Sequence, residues 1–141
     1  MSNIKITVPF VECASSIPMI KIKVGNMRTN AIIDSGAEST LIGADMIELP
    51  EVHVLEEDLI ANFTGIGDYK NKKIVQLGTD IEIAGHKFAV AAYQFDLSGI
   101  LSHFDRICDY HDDISFVLGS DFLTKYDAVI DYEDKIVTMT V

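Results

Sequence analysis

Ala31-Ile32-Ile33-Asp34-Ser35-Gly36-Ala37-Glu38-Ser39-Thr40 carries three apolar residues straight into a carboxylate and then into a run of small polar ones. Two consecutive β-branched isoleucines favour an extended, buried strand. The switch to Ser, Gly and Ala ends that strand in a tight turn. An acid delivered to the end of a buried strand is partly desolvated, and such positions suit acid–base work. Gly36 allows the backbone to turn sharply and another group to come close, while Ser35 can hydrogen-bond to the backbone and hold the loop. Asp-Ser-Gly also ends strands with no chemistry attached, so what surrounds it has to decide between the two readings.

On both sides of this stretch the apolar residues alternate with a period near two, in short runs rich in Ile, Val, Phe and Thr, which predicts an all-β fold. Ile4 to Phe10 is one run; Met19 to Val24 and Thr29 to Ile33 form a hairpin through Gly25-Asn26. Leu41 to Ile47 reads as a strand end followed by a short helical turn, closed off by Pro50. Asp58 to Thr64 leads into Gly65-Ile66-Gly67-Asp68-Tyr69, the tip of a second hairpin whose return arm runs from Lys73 to Leu77. Ile81 to Ala84 and Lys87 to Tyr93 form a third, around Gly85-His86. Past an irregular stretch, Ile114 to Leu118 reads as a buried strand, Ser120-Asp121 as the cap of a helix over Phe122 to Tyr126, and Ala128 to Asp131 with Lys135 to Val141 as a closing hairpin. The length of 141 residues fits one domain, 1–141, with 96–113 as an inserted loop or lid.

Four of these segments, in this order, resemble the retropepsin-like aspartic proteases, the family that includes the retroviral proteases. Ile32 to Thr40 looks like the family's catalytic loop, Phe63-Thr64-Gly65-Ile66-Gly67 like its glycine-rich flap, Ile81 to Lys87 like the hairpin that follows, and Phe116 to Leu123 like the apolar strand, glycine and short helix near its carboxyl end. The ordered set is more specific than any one member. Two departures stand out: Ser35 replaces a frequent Thr, and Asp68 stands where another glycine is common.

The resemblance implies a single-lobe, closed β-barrel-like retropepsin fold with one or two short helices, and an aspartic endopeptidase acting on a peptide or protein substrate. Asp34 is then catalytic, Ser35, Gly36 and Ala37 support the catalytic loop, and Thr64, Gly65, Ile66 and Gly67 belong to a flap that closes over substrate. That chemistry needs two carboxylates about 3 Å apart sharing one proton. The chain holds a single Asp-Ser-Gly, and Asp80, Asp121 and Asp131 precede Ile81, Phe122 and Tyr132 instead of a small-residue turn. A homodimer supplies the missing half through a two-fold axis, and the pair then titrates as a unit with a bell-shaped pH dependence. The alternative is a catalytically inactive retropepsin-like module for dimerisation or peptide binding, since fold does not fix function.

Eleven basic residues against 22 acidic ones give a net charge of −11, which argues against nucleic acid or an anionic membrane surface as a partner. No apolar run reaches the length of a membrane span and the amino terminus lacks a signal-peptide core, so the expected location is cytoplasmic. Cys13 and Cys108 are expected as reduced thiols. His103, Cys108, His111, Asp112 and Asp113 include a Cys-x-x-His spacing but form one cluster on a loop and not the paired ligand sets of a zinc site, so neither a metal nor another cofactor is expected. His86 is read as a solvent-facing turn residue, Met46 as core filler, Asp121 as a first-turn acid of its helix, and Glu56-Glu57-Asp58 as a solvated acidic patch.

Overall fold

Strands β2 (Met19–Val24) and β3 (Met27–Ile33) form an antiparallel hairpin whose turn is possible because Gly25 sits at φ +57°, a region open to glycine without strain. The computed structural model describes residues 3–12, 17–61, 72–99 and 114–141. Around that hairpin are arranged β1 (Lys5–Pro9), β4 (Leu41–Gly43), a 3-10 turn (Ala44–Glu48), β5 (His53–Ala61), β6 (Lys72–Ile83), β7 (His86–Phe95), β8 (Ile114–Leu118), helix α1 (Ser120–Lys125), β9 (Val129–Asp131) and β10 (Ile136–Thr140).

Six strands, in the order β2-β3-β8-β4-β7-β6, close into a barrel where Lys23 of β2 pairs with Glu82 of β6, and β5 extends the sheet beyond β6. The closure also carries a 3.7 Å ion pair between the same two side chains. β3 and β8 run parallel, with Ile33 opposite Leu118, while β4 runs antiparallel to β8 and parallel to β7. A second sheet, β1-β10-β9, is joined to the first by a common core: Ile6, Val8, Val137 and Met139 pack with Ile20, Ile22, Ala31, Ile33, Phe88, Phe116 and Leu118. On the opposite face of the same strands, Met19, Ile32, Leu41, Phe95, Leu97, Ile114 and Val117 make a separate buried cluster. Two interiors explain why β8 is buried at all five positions and does not alternate; its one polar residue, Ser115, shares a 2.6 Å hydrogen bond with the Thr29 hydroxyl.

Helix α1 is fastened to β7 by aromatic rings. Tyr126 meets Phe88 edge-on at 4.8 Å and its hydroxyl donates to the Ala89 carbonyl at 2.9 Å.

The expected all-β class is found, and several details differ from expectation. Lys73–Leu77 and Ile81–Ile83 belong to one continuous twelve-residue strand, β6, and Ala84 falls in the turn after it. Gly78, between the two, lies under the Leu55 side chain of β5, where a Cβ would stand 2.9 Å from it. β5 begins at His53, and Glu56 and Glu57 are exposed residues on it, as expected of a solvated acidic patch. The third hairpin turns on Ala84-Gly85, at φ 50° and 81°, which places His86 as the half-buried first residue of β7 instead of a solvent-facing turn residue. Met46 is buried in the main core, as expected of a core filler. Among the described residues no helix is long and apolar enough to cross a membrane.

Candidate active site

The parallel pair β3–β8 ends both strands at the same level, so the residues that follow them, Asp34 and Gly119, emerge side by side. The Asp34 amide donates to the Leu118 carbonyl at 3.0 Å, which extends the ladder by one bond into the loop. There the chain turns: the Ala37 amide donates to the Asp34 carbonyl at 3.1 Å, and the Gly36 amide donates to Asp34 Oδ1 at 3.0 Å. Gly36 turns the chain without a left-handed φ, and a Cβ there would stand 3.3 Å from Asp34 Oδ1, a tight contact that glycine avoids. The sharp turn and the close approach expected of this glycine are both present, and the group that comes close is the Asp34 carboxylate. Asp34 is half-buried, Ser35 and Gly36 are exposed, and Ala37 is half-buried. Ser35 does not tie the loop down: its hydroxyl makes no hydrogen bond among the described residues.

The ties come from the other side of the chain. Gly119 lies so close under the loop that a Cβ would be 2.7 Å from both the Ala37 and Ser39 carbonyls. The Ser120 amide donates to the Ala37 carbonyl at 2.7 Å and the Asp121 amide to the Glu38 carbonyl at 3.3 Å. Thr40, almost fully buried, donates its amide to Asp121 Oδ2 at 3.1 Å and its hydroxyl to Asp121 Oδ1 at 2.7 Å, while accepting from the Gly119 amide at 3.1 Å. Asp121 Oδ1 also accepts from the Phe122 amide at 2.8 Å. The expected Ser120-Asp121 cap is thus corrected. The residue in the cap position is Gly119 with extended backbone and no side-chain cap bond, and the Asp121 carboxylate serves the loop as well as its own helix. Thr40 and Gly119 lie in motifs that the sequence exposes, yet their pairing across about eighty residues has no local signature.

One oxygen of Asp34 is held by the turn, and Oδ2 takes no hydrogen bond among the described residues. The carboxylate faces an open concavity of about 320 Å³ shared with Ile17, Pro18, Ile33, Ser35 and Tyr132. A larger open groove, about 820 Å³, is lined by residues such as Lys23, His53, Asp80 and Lys87 and includes no residue of the 34–40 loop. Thr64, Gly65, Ile66 and Gly67 lie outside the described residues, as do Cys13, Cys108, His103, His111, Asp112 and Asp113. The arms that flank the first four are in place, with Leu59 opposite Ile74 and Ala61 opposite Lys72 in an antiparallel hairpin. Among the described residues no group of three or more His, Cys, Asp or Glu could hold a metal ion.

Residues 14–131 match the family model described as retroviral aspartyl protease. Among solved structures, the retroviral protease-like domain of Ddi1 from Leishmania major is similar at a TM-score of 0.55 and 18% identity, over 89% of this chain and 94% of that one. A retropepsin-like aspartic protease from Rickettsia conorii is similar at a TM-score of 0.53 and 15% identity, over 99% of this chain and 92% of that one. Identities this low speak for the fold alone. No curated protein sequence matches at a significant level.

Proposed function

The chain belongs to the retroviral aspartyl protease family, and on that premise we propose that it is an aspartic endopeptidase whose working unit is a homodimer of single-domain chains, each contributing Asp34. The observation that carries the reading is the state of Asp34: a carboxylate at the end of a buried strand, one oxygen fixed by the Gly36 amide, in a loop hydrogen-bonded to 119–121, with the other oxygen uncommitted beside an open concavity. A loop held this firmly positions a charge without reorganising it, which is what electrostatic catalysis demands.

In the dimer the two carboxylates share one proton. The ionised one takes a proton from a bound water as it attacks the scissile carbonyl carbon; the protonated one donates to the carbonyl oxygen, giving a tetrahedral diol. Its collapse breaks the C–N bond, and a carboxyl returns a proton to the departing amine, so water and peptide become an acid and an amine. Ser35, Gly36 and Ala37 form the loop's turn. Thr64, Gly65, Ile66 and Gly67, at the tip of the β5–β6 hairpin, are the flap that closes over an extended peptide, excludes water and adds backbone hydrogen bonds. The 96–113 stretch is an inserted loop or lid. No cofactor takes part.

The test is cleavage of a diverse peptide library from acid to neutral pH by the parent and by Asp34→Asn. The substitution preserves shape and the Gly36 bond, so we expect loss of cleavage by at least about 10³-fold with an unchanged melting temperature. Cleavage that survives in Asp34→Asn overturns the mechanism. Absence of cleavage in both, with a stable dimer, favours the inactive peptide-binding or dimerisation module.

A further inference from the structure

The seam where the barrel closes is also a row of charge. Lys87 of β7 pairs with Glu82 of β6, Glu82 with Lys23 of β2, and Lys23 with Arg28 of β3, so one line of directly opposed residues crosses four strands. The row lies on the outer face of the barrel, because Phe88, Ile81 and Ile22, the residues beside the first three, face the main core. Lys23 and Arg28 are like charges directly opposite each other, an arrangement that weakens a sheet. Glu82 meets Lys23 at 3.7 Å, whereas among the described residues Arg28 makes no ion pair. The open groove of about 820 Å³ begins at this row: Lys23, Glu82 and Lys87 line it, with Lys125 from the last turn of α1, over a floor where Ala89 and Ala91 are low enough for an extended backbone to lie on them. Lys21 stands exposed one row further along the β2–β3 hairpin. These five bases meet three acids. Glu82 is held by Lys23, Glu51 lies against Gly25, and Asp80 is one row along from Glu82. Five against three leaves +2 on this side of a chain whose net charge is −11.

We propose that this groove and the basic row at its mouth dock an extended acidic peptide segment, and that the segment belongs to the substrate, outside the cleft. The second clause rests on the paired-Asp34 reading; the first does not. Charge complementarity names the occupant, since a local excess of cations on an otherwise acidic surface draws in acidic chains and turns away basic ones. A carboxylate seated between Lys23 and Arg28 removes the cost of placing those two cations opposite each other. A short peptide with a few acids also avoids most of the repulsion that a longer polyanion meets from the rest of a −11 chain. β3 leads from Arg28 to the strand end before Asp34, and six residues at about 3.3 Å each span about 20 Å. A substrate that fills both places therefore carries its acids about six residues or more from the bond that is cleaved.

The test is binding of a fluorescein-labelled peptide of alternating Glu and Ala to the Asp34→Asn chain, read by fluorescence anisotropy without cleavage. The peptide is expected to bind, and added salt to weaken it. Arg28→Glu should weaken binding by about tenfold or more and Lys87→Gln by less, while Asp80→Asn tightens it. Lys5→Glu on β1 makes the same charge change as Arg28→Glu away from the groove and should leave affinity within about twofold. Arg28, Lys87, Asp80 and Lys5 are exposed, so circular dichroism and melting temperature should stay at the parent's values or rise. With the Asp34 parent, a cleaved peptide extended by an acidic segment should show a lower KM than the same peptide without it, and Arg28→Glu should remove the difference. No binding, equal weakening by Lys5→Glu and Arg28→Glu, or tighter binding of a single-stranded oligonucleotide than of the peptide overturns the docking site. Binding that brings no difference in KM overturns its assignment to substrate. If Arg28→Glu loses binding and the parent cleaves nothing, the docking site stands and the paired-Asp34 reading fails.

Discussion

Asp121 has a role out of proportion to its place on the surface, because its two oxygens take three donors: the Thr40 amide, the Thr40 hydroxyl and the Phe122 amide. Thr40 is 1% exposed, so removing its partner strands buried polar groups, and the loop that carries Asp34 loses its fixed end. Asp121→Ala is expected to lower stability by about 1–3 kcal/mol. It should also reduce kcat more than it raises KM, since the loss falls on the placement of Asp34 and not on peptide contacts. Asp121→Asn should recover only part of both: its amide oxygen can accept from the Thr40 amide while the hydroxyl rotates to accept from its NH2 group, but that NH2 then faces the Phe122 amide, a second donor. Urea unfolding and steady-state cleavage by the two variants check this; no recovery at all in Asn would show that the Thr40 amide bond contributes little on its own. Gly119 belongs to the same clamp. Its Cα passes under two loop carbonyls with no room for a methyl group, so its identity follows from contact and not from φ.

Elements of the fold were legible wherever one physical signal acted alone. The β2–β3 hairpin shows alternation and a glycine turn, and differs from expectation only in that β3 starts two residues earlier, at Met27; β7 buries Phe88, Val90 and Ala92 and exposes Lys87, Ala89 and Ala91 between them, as its sequence implies. Legibility failed where tertiary contact overrode local preference. Gly78 sits inside a continuous β6, covered by Leu55, and the cap of α1 went to Gly119 because Asp121 is engaged with Thr40. The Asp34 loop could be found from its own residues, but not the clamp that steadies it, since that depends on β3 and β8 being parallel neighbours, a non-local fact. The turn after β7 allows a prediction of its own. The Ser98 amide donates to Asp96 Oδ1 at 2.9 Å, and this bond, with help from the Ser98 side chain, holds the Asp96 carboxyl below its ordinary value of 3.8. A carboxyl so lowered favours the folded state above its ordinary value, and the contribution vanishes as pH falls through the lowered one. Asp96→Asn should therefore be slightly less stable than the parent near neutrality, converge with it in acid, and show a less steep fall in stability below about pH 4. Urea midpoints measured down to about pH 2 read this directly; an identical acid limb in the variant would remove Asp96 from the account. The turn matters for the site because Leu97, between those two residues, is packed with Ile32 and Val117, the neighbours of the Asp34 strand end.

At the scale of the whole molecule, one lobe of 141 residues holds one Asp-Ser-Gly, so under the proposed function activity must be a property of association and not of the folded chain alone. Each copy brings a net charge of −11, and the pair −22 (2 × −11), so the two approach against a net electrostatic repulsion. Charges spread over the surface are screened beyond a Debye length of about 8 Å at physiological ionic strength, and the range grows as salt is removed. Under the proposed function, the contacts that hold the two copies together must overcome what screening leaves. Two consequences can be measured together. Specific activity should fall on dilution, approaching proportionality to chain concentration once dimers are the minority, and the concentration at half-maximal activity should drop as NaCl is raised from low to moderate levels. The opposite salt response is expected of a site dominated by charge attraction to its peptide, where added salt weakens binding and raises KM. Measuring dilution curves at saturating peptide separates the two, since KM then drops out and only the dimer equilibrium remains. Specific activity that stays constant on dilution well below the dissociation constant found by sedimentation would mean that a single Asp34 is sufficient, and the shared site would have to be abandoned.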